Sequence, residues 1–127
     1  RRVTLINSID ADARVTADPV RIEQMLTNLI DNAIKFNRVG GSVTITLNKT
    51  PAKSSISVTD TGEGIVAEHQ HRIFERFYRA DRGRTREIGG TGLGLAIVKH
   101  LARLHGGEVA VRSEPSVGTT FLIELPE

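Results

Sequence analysis

The sequence has 127 residues, a formal net charge of +2 and no cysteine. Without cysteine there are no disulfides and no thiolate metal sites, so the chain is suited to a reducing compartment. No apolar run approaches the roughly 18 residues that cross a bilayer, and so small a net charge does not indicate nucleic-acid binding. We expect one domain, residues 1–127, long enough to bury about two-thirds of its unfolded surface.

The first part of the chain predicts a strand followed by a long helix. Residues 3–9 are predicted to form a strand, and residues 14–16 a short extended piece. Asp18-Pro19 is a strong start signal for a helix, because aspartate caps free N–H groups and proline suits the first helical position. The helix is predicted to run to about Asn37, before a turn at Gly40-Gly41.

Within this helix, three polar residues form one edge beside an apolar stripe. Asn28, Asn32 and Lys35 point the same way, because each residue turns the helix by about 100°. The stripe beside them consists of Ile22, Met25, Leu26, Leu29 and Ala33. Carboxamide oxygen suits Mg²⁺ and ammonium suits phosphate. The segment alone fits either a ligand-binding edge or the solvated face of an amphipathic helix.

The next two strands are predicted to form a hairpin with one buried face, ending at Asp60. Asp60 shares its face with Ile56 and Val58, so a carboxylate stands in the apolar register. Burying it without a partner would cost several kcal/mol, so it needs a donor, and the exocyclic amine of a purine is one candidate. The alternative is that Asp60 only opens a turn for Gly62 and Gly64.

The rest of the chain predicts a short helix at 67–74, a mobile loop at 79–92, a helix at 95–105 and a final hairpin of strands 108–113 and 119–125. Glycines 90, 92 and 94 precede the second long helix, where backbone N–H groups can approach an anion. A flexible connector is the commoner meaning of such glycines. Strands with long helices between them imply a two-layer α/β sandwich.

Taken together, five segments in this order resemble the catalytic ATP-binding domain of bacterial sensor histidine kinases. They are QMLTNLIDNAIKF (24–36), DTGEG (60–64), FERF (74–77), GTGLG (90–94) and GTTF (118–121). The resemblance covers residues 3–126, and the Phe-Tyr-Arg at 77–79 is most similar to membrane sensor kinases. It implies the Bergerat (GHKL) fold, an α+β two-layer sandwich. In that fold about five strands form a mixed, mainly antiparallel sheet, with about three helices on one face.

The resemblance also implies a role for each matching residue. Asn32 would bind Mg²⁺ and Asn28 would orient the metal or a phosphate, while Lys35 would contact phosphate. Asp60 matches the aspartate that accepts a hydrogen bond from the adenine amine, and Arg79 matches a lid arginine that reaches the γ-phosphate. The other expected ATP-site residues are Phe36, Gly62, Gly64, Ile65, Gly90, Thr91, Gly92, Leu93, Gly94 and Thr120.

Some of these roles have simple physical reasons. Phe36 would pack on adenine, and Gly62 and Gly64 would let the base approach the backbone. Thr120, beside Gly118, matches a threonine that supports the same end of the purine, although a plain strand residue fits that position equally well.

Two absences limit what this chain can do alone. Related ATPases carry a glutamate one helical turn before the metal-binding asparagine, where this chain has Asn28, so attack by water should be slow. The His-Glu-x-x-x-Pro segment that carries the acceptor histidine in this family does not occur here. Because the chain begins with Arg1 rather than Met, we expect a fragment of a longer kinase, with the acceptor on an upstream helical hairpin.

The expected function is therefore to bind Mg-ATP and donate its γ-phosphoryl group to a histidine on the dimerisation domain. A response-regulator receiver domain would take it next. We expect a monomer when isolated, no nucleic-acid partner, and a place in the cytoplasmic part of an inner-membrane-anchored bacterial sensor kinase. The alternatives are a GHKL serine kinase of the anti-sigma-factor type and a nucleotide-gated binding module.

Overall fold

The computed structural model describes residues 3–9, 17–70, 72–75 and 94–126. In chain order the elements are β1 (Thr4–Asn7), α1 (Pro19–Lys35), β2 (Ser42–Lys49), β3 (Lys53–Asp60), α2 (Ala67–Gln70), α3 (Gly94–Leu104), β4 (Glu108–Glu114) and β5 (Gly118–Pro126). The extended piece predicted at 14–16 and the loop predicted at 79–92 lie outside the described residues. No helix in the described parts is long and apolar enough to cross a membrane.

The five strands form one mixed sheet in the order β1-β2-β3-β5-β4. β1 runs parallel to β2, and the other three pairs are antiparallel. The predicted α+β sandwich with a mainly antiparallel sheet is confirmed. The register places Asp60 opposite Val43 on one side and Thr119 on the other. The last residue of β3 thus lies between two neighbours near the middle of the sheet.

Helix α1 begins as its sequence predicts. The Asp18 side chain accepts hydrogen bonds from the N–H groups of Val20 (3.0 Å) and Arg21 (3.4 Å), which satisfies donors that a helix start leaves free. The helix ends at Lys35 rather than Asn37. Asn37 leaves the helix because its buried side chain donates to the Ser42 carbonyl, 2.9 Å away at the start of β2.

The hydrophobic core lies between one face of the sheet and the two longer helices. The buried sheet residues are Val43, Ile45, Ile56, Val58, Val109, Phe121, Ile123 and Leu125. Helix α1 contributes Met25, Leu29 and Ala33, members of the predicted stripe, and α3 contributes Val98, Leu101 and Ala102. Strands β2 to β5 alternate more buried and more exposed positions, as expected for a sheet with one covered face, whereas the edge strand β1 is exposed along its whole length.

Helices α1 and α3 run antiparallel, and one contact near each end of α3 shows how they lie together. The Asp18 N–H donates to His105 Nε2 (3.0 Å), just after the end of α3. The other ring nitrogen, Nδ1, lies 2.9 Å from the Leu101 carbonyl, and the tautomer that donates from Nδ1 and accepts at Nε2 satisfies both contacts. At the other end, a Cβ added to Gly94 would lie 3.9 Å from the Asn28 amide. The first residue of α3 therefore lies beside the polar edge of α1.

The short helix is shorter than predicted. α2 spans Ala67–Gln70, and residues 72–74 form a turn instead of continuing the predicted helix to Phe74. Gln70 Nε2 donates to the carbonyls of Ile65 (2.7 Å) and Ser113 (3.1 Å), which ties the helix end to β4. Ile73 is buried in the core after the turn. The Arg72 N–H donates to the His69 carbonyl and the Glu75 N–H to the Arg72 carbonyl, both at 2.9 Å, so tight i to i+3 turns follow α2 in place of the predicted α-helix.

Candidate functional site

The polar edge of α1 lies at the border of the core. Asn28, Asn32 and Lys35 are each half-buried, whereas the neighbouring acid Asp31 is exposed. Leu29 and Ala33, one residue further along, are fully buried. The edge is therefore neither in the core nor on the fully solvated face. Its side chains can face a ligand while the stripe beside them holds the helix in place.

Asp60 is buried at the end of β3, with 8% of its surface exposed. Its Oδ1 accepts a hydrogen bond from the Gly62 N–H at 2.8 Å, and the Thr119 backbone N–H also bonds the carboxylate. Burial raises the pKa of Asp60 above its usual value, while these two backbone hydrogen bonds oppose the rise. The turn offered as the alternative interpretation is thus present. It does not exclude a ligand role, because a carboxylate has about four acceptor positions.

The loop after β3 packs directly on the end of α1. A Cβ added to Gly62 would lie 2.5 Å from the Phe36 carbonyl oxygen, so only glycine fits. The Glu63 N–H donates to that same carbonyl at 3.4 Å. Gly64 has a φ of +75°, and a Cβ there would collide with the Glu114 carbonyl. These glycines therefore have packing reasons of their own, and a close approach of a base to them stays a prediction.

Ile65 ends this loop and is half-buried. Its N–H donates to Ser113 Oγ (2.7 Å), and its carbonyl accepts from Gln70. The loop that starts at Asp60 is thus bonded to α1 at its beginning and to β4 at its end.

Thr119, rather than the predicted Thr120, shares a face of the sheet with Asp60. Thr119 lies opposite Asp60, and cross-strand partners share a face of the sheet. It is 5% exposed, and its Oγ1 lies 2.7 Å from Ser113 Oγ. Thr120 pairs with Thr59 on the other face, with 3.0 Å between the two hydroxyl oxygens. Thr120 therefore occupies the position of the plain strand residue that the sequence left open.

Two residues of the site region carry no sequence signal. Asn37 is fully buried, and its Oδ1 accepts from the Arg38 N–H (2.9 Å) and the Thr61 hydroxyl (3.2 Å). Arg38 donates to the Gly62 carbonyl at 2.9 Å. Both residues follow the helix at positions that resemble an ordinary polar turn. The contacts of Asn37 with Thr61 and of Arg38 with Gly62 each join residues 24 positions apart, so only the folded chain shows them.

Five expected site residues lie outside the described part of the chain: Arg79, Gly90, Thr91, Gly92 and Leu93. Their roles stay predictions. The described residues contain no group of three or more His, Asp or Glu side chains that could hold a metal alone. One asparagine oxygen is nevertheless a fitting Mg²⁺ ligand, because Mg²⁺ usually takes one or two protein ligands beside substrate phosphates and water.

A class of protein is defined by a mixed sheet covered on one face, a buried aspartate at the end of a central strand, and a helix with a polar edge whose end packs on the loop after that aspartate. They are the features of a catalytic ATP-binding domain of the histidine kinase type. Residues 17–127 match the family described as histidine kinase-, DNA gyrase B- and HSP90-like ATPase. The chain belongs to this family.

Relatives and solved structures agree with this assignment. Sensor protein SrrB of Staphylococcus aureus (strain MRSA252) is 46% identical over 112 residues, which is 88% of this chain and 19% of that protein. The structure of the mycobacterial sensor histidine kinase MprB matches with a TM-score of 0.85 and 32% identity, covering 98% of this chain and 83% of that one. Full-length ShkA in complex with AMPPNP matches with a TM-score of 0.84 and 34% identity, covering 98% and 25%. This chain thus spans about a fifth of the length of SrrB.

Proposed function

We propose that this chain binds Mg-ATP and donates the γ-phosphoryl group to a histidine on the separate phosphoacceptor domain of a sensor histidine kinase. The observation that carries the proposal is the placement of helix α1. Its polar edge lies beside the start of α3 at Asn28, and its end packs on the loop that follows Asp60. One helix thus joins a candidate phosphate end to a candidate base end. The AMPPNP complex of ShkA supports a nucleotide as the ligand.

At the base end, Asp60 accepts a hydrogen bond from the exocyclic amine of adenine. The carboxylate is held by backbone N–H groups and lies in a mostly apolar surrounding, where the hydrogen bond is strong. Thr119 shares this face and supports the same end of the base. Guanine presents a carbonyl oxygen where adenine has its amine, so two acceptors would meet. ATP is therefore preferred over GTP.

At the phosphate end, Asn32 supplies the oxygen that holds Mg²⁺. When bound, the metal neutralises charge on the phosphates as the γ-phosphoryl group departs. Asn28 orients the metal or a phosphate, and the Lys35 ammonium contacts a phosphate oxygen. Gly94 lies against Asn28, so the phosphate-binding glycine segment ends beside this group.

The described part of this site has no general base for hydrolysis. Asn28 stands where hydrolytic relatives carry glutamate, and an amide cannot take a proton from water. Asp31 is exposed, on a different side of the helix from Asn32. The γ-phosphoryl group is therefore kept for an acceptor histidine.

We also propose the partner domains and the parent protein with which the chain works. The acceptor is a histidine on a helical hairpin of the parent kinase, and a response-regulator receiver domain takes the group next. Residues 1–127 form one catalytic domain with an ATP lid at about 79–92, monomeric when isolated. It lies in the cytoplasmic part of an inner-membrane-anchored bacterial sensor kinase. The relatives named as sensor proteins and sensor-like histidine kinases support a place within a sensor kinase.

One experiment tests the function. The chain is incubated with γ-labelled ATP, Mg²⁺ and the acceptor hairpin of its parent kinase, and the labelled residue is identified. We expect phosphohistidine, which is labile in acid and stable in base. An acid-stable phosphoester would instead indicate a serine kinase. Nucleotide binding without any transfer would leave a binding module.

A further inference from the structure

Arg38 joins three separate segments around the base end of the site. It lies on the exposed side of the chain, three residues after the end of α1. A single guanidinium nitrogen, Nη2, donates to the Gly62 carbonyl (2.9 Å) and to the Ser116 carbonyl (2.8 Å). Gly62 belongs to the loop after β3, and Ser116 to the turn between β4 and β5. One cation therefore holds α1, the loop and the turn together.

The turn is held in an unusual conformation at the same place. Ser116 has a φ of 68°, and it is the one non-glycine residue with positive φ among the described residues. This backbone region is disfavoured for residues with a side chain and persists where the surroundings fix it. The Ser116 N–H donates to the Glu63 carbonyl at 2.7 Å, and its own carbonyl accepts from Arg38. The Ser116 N–H is thus bonded to the loop after β3, and the Ser116 carbonyl is bonded to Arg38, which also bonds that loop.

We propose that Arg38 is a positioning residue for nucleotide binding. It fixes the carbonyl of Gly62, and the N–H of the same residue, in the preceding peptide group, holds Asp60 Oδ1. By restricting this one loop residue, Arg38 sets the direction in which the Asp60 carboxylate faces the base. Arg38 does not touch the nucleotide. The inference rests on the proposed function, because it assumes that the base is bound at Asp60.

The test compares ADP affinities measured by calorimetry. We expect Arg38→Ala to bind ADP about tenfold more weakly, since a hydrogen-bonded cation is lost from the loop. Arg38→Lys keeps the charge and a donor, so it should recover a large part of that loss. Arg103→Ala is the matched control, because Arg103 is also exposed and contacts only the surface carboxylate of Glu108 in the described structure. It should stay within about twofold of the wild type.

A second measurement separates positioning from general stability. Amide hydrogen exchange should quicken at Gly62 and Ser116 in Arg38→Ala by about tenfold, while buried strand amides such as that of Val58 keep their wild-type rates. Ser116→Gly removes the side chain but keeps both backbone groups, so its ADP affinity should match the wild type within about twofold. Unchanged ADP affinity in Arg38→Ala would overturn the inference. Faster exchange throughout the sheet would overturn it too, because Arg38 would then act only on stability.

The two proposals fail in different ways. If the wild type does not bind ADP, the nucleotide function is wrong. Gly62 exchange in Arg38→Ala would then still show whether Arg38 holds the loop. If the wild type binds ADP and Arg38→Ala binds it equally well, only the role of Arg38 is wrong.

Discussion

Asp60 carries a cost in stability that its proposed role in binding would explain. Because burial raises its pKa, the folded chain binds a proton more readily than the unfolded chain does. The free energy of unfolding therefore falls as pH rises from the ordinary pKa of an aspartate through the raised pKa of Asp60. Above that window the ionised carboxylate is retained at a cost. The most direct reason for keeping it is that the charged form accepts a hydrogen bond from a ligand.

The same shift predicts a pH dependence of binding. Wild-type affinity for ADP should fall as pH is lowered from about 7.5 towards the raised pKa, because the protonated carboxyl loses acceptor capacity. Asp60→Asn should bind about tenfold more weakly at neutral pH. The ratio of the two affinities, measured by calorimetry, should shrink towards one in acid. A constant ratio would contradict the role of Asp60, and using one nucleotide throughout cancels the titration of its own phosphates.

Asn32 can be tested through the metal rather than through overall affinity. In the wild type, Mg²⁺ should strengthen ATP binding over binding in excess chelator. In Asn32→Ala that gain should largely vanish, because the ligand oxygen is gone while the fold remains. Asp31→Ala, on the exposed side of the same helix turn, is the control and should keep the gain. An undiminished Mg²⁺ effect in Asn32→Ala would show that Asn32 is not a ligand of the metal.

The two adjacent threonines give a matched pair of variants. Thr119→Val removes a buried hydroxyl on the Asp60 face and should weaken ADP binding by about tenfold. Thr120→Val removes a hydroxyl on the opposite face and should change ADP affinity by less than about twofold. Fluorescent-nucleotide competition can measure both. The reverse order of effects would restore Thr120 to the site.

Among the elements, α1 could be predicted best. Its start follows from Asp18 and Pro19, and its buried face from apolar residues at helical spacing, so both appear in the sequence itself. The end of α1 is harder to predict, because Asn37 lies outside the helix and bonds Ser42 on the next strand. The strands were also predicted from alternation. Alternation also places Thr119, two residues before Phe121, on the covered face with Asp60, so this choice between the two threonines was already present in the sequence. The direct pairing of Thr119 with Asp60 was not, because it depends on the register between β5 and β3.

The link between the two long helices gives a prediction of its own. His105→Ala should lower the free energy of unfolding by about 1–2 kcal/mol, because it removes the acceptor for the Asp18 N–H and the bond to Leu101. His100→Ala, which lies exposed on α3, is the control and should change it by less than about 0.5 kcal/mol. Urea unfolding followed by circular dichroism measures both. Equal losses would show that the link does not stabilise the fold.

For the whole molecule, the sequence predicted the architecture better than the contacts that hold the site. Sheet and layers follow from patterns within short segments. The hydrogen bond from Arg38 to Ser116 joins residues 78 positions apart, and the sequence around neither residue predicts it. Gly62 and Gly64 are a second example. The resemblance implies that they let a base approach the backbone, but the sequence does not show that each also packs against another segment, at Phe36 and Glu114.

A slow rate of ATP hydrolysis is also predicted for the whole chain. Without an activated water or an acceptor histidine, it should bind ATP yet hydrolyse it barely above the background rate. Phosphate release measured over many hours checks this. Rapid multiple-turnover hydrolysis by the chain alone would show that some group acts as a general base, and would move the chain towards the ATPases of its family.

The turn between β4 and β5 also has a practical use. Val117, next to Ser116, is 60% exposed, and the chain has no cysteine of its own. A single thiol introduced by Val117→Cys can therefore carry one fluorophore at a defined place. The turn contributes only backbone groups to these contacts, because the Arg38 side chain donates to the Ser116 carbonyl and the Ser116 N–H donates to the Glu63 carbonyl. A label on the side chain of residue 117 therefore leaves those bonds untouched. The turn thus offers an optical reporter of events at the base end of the site.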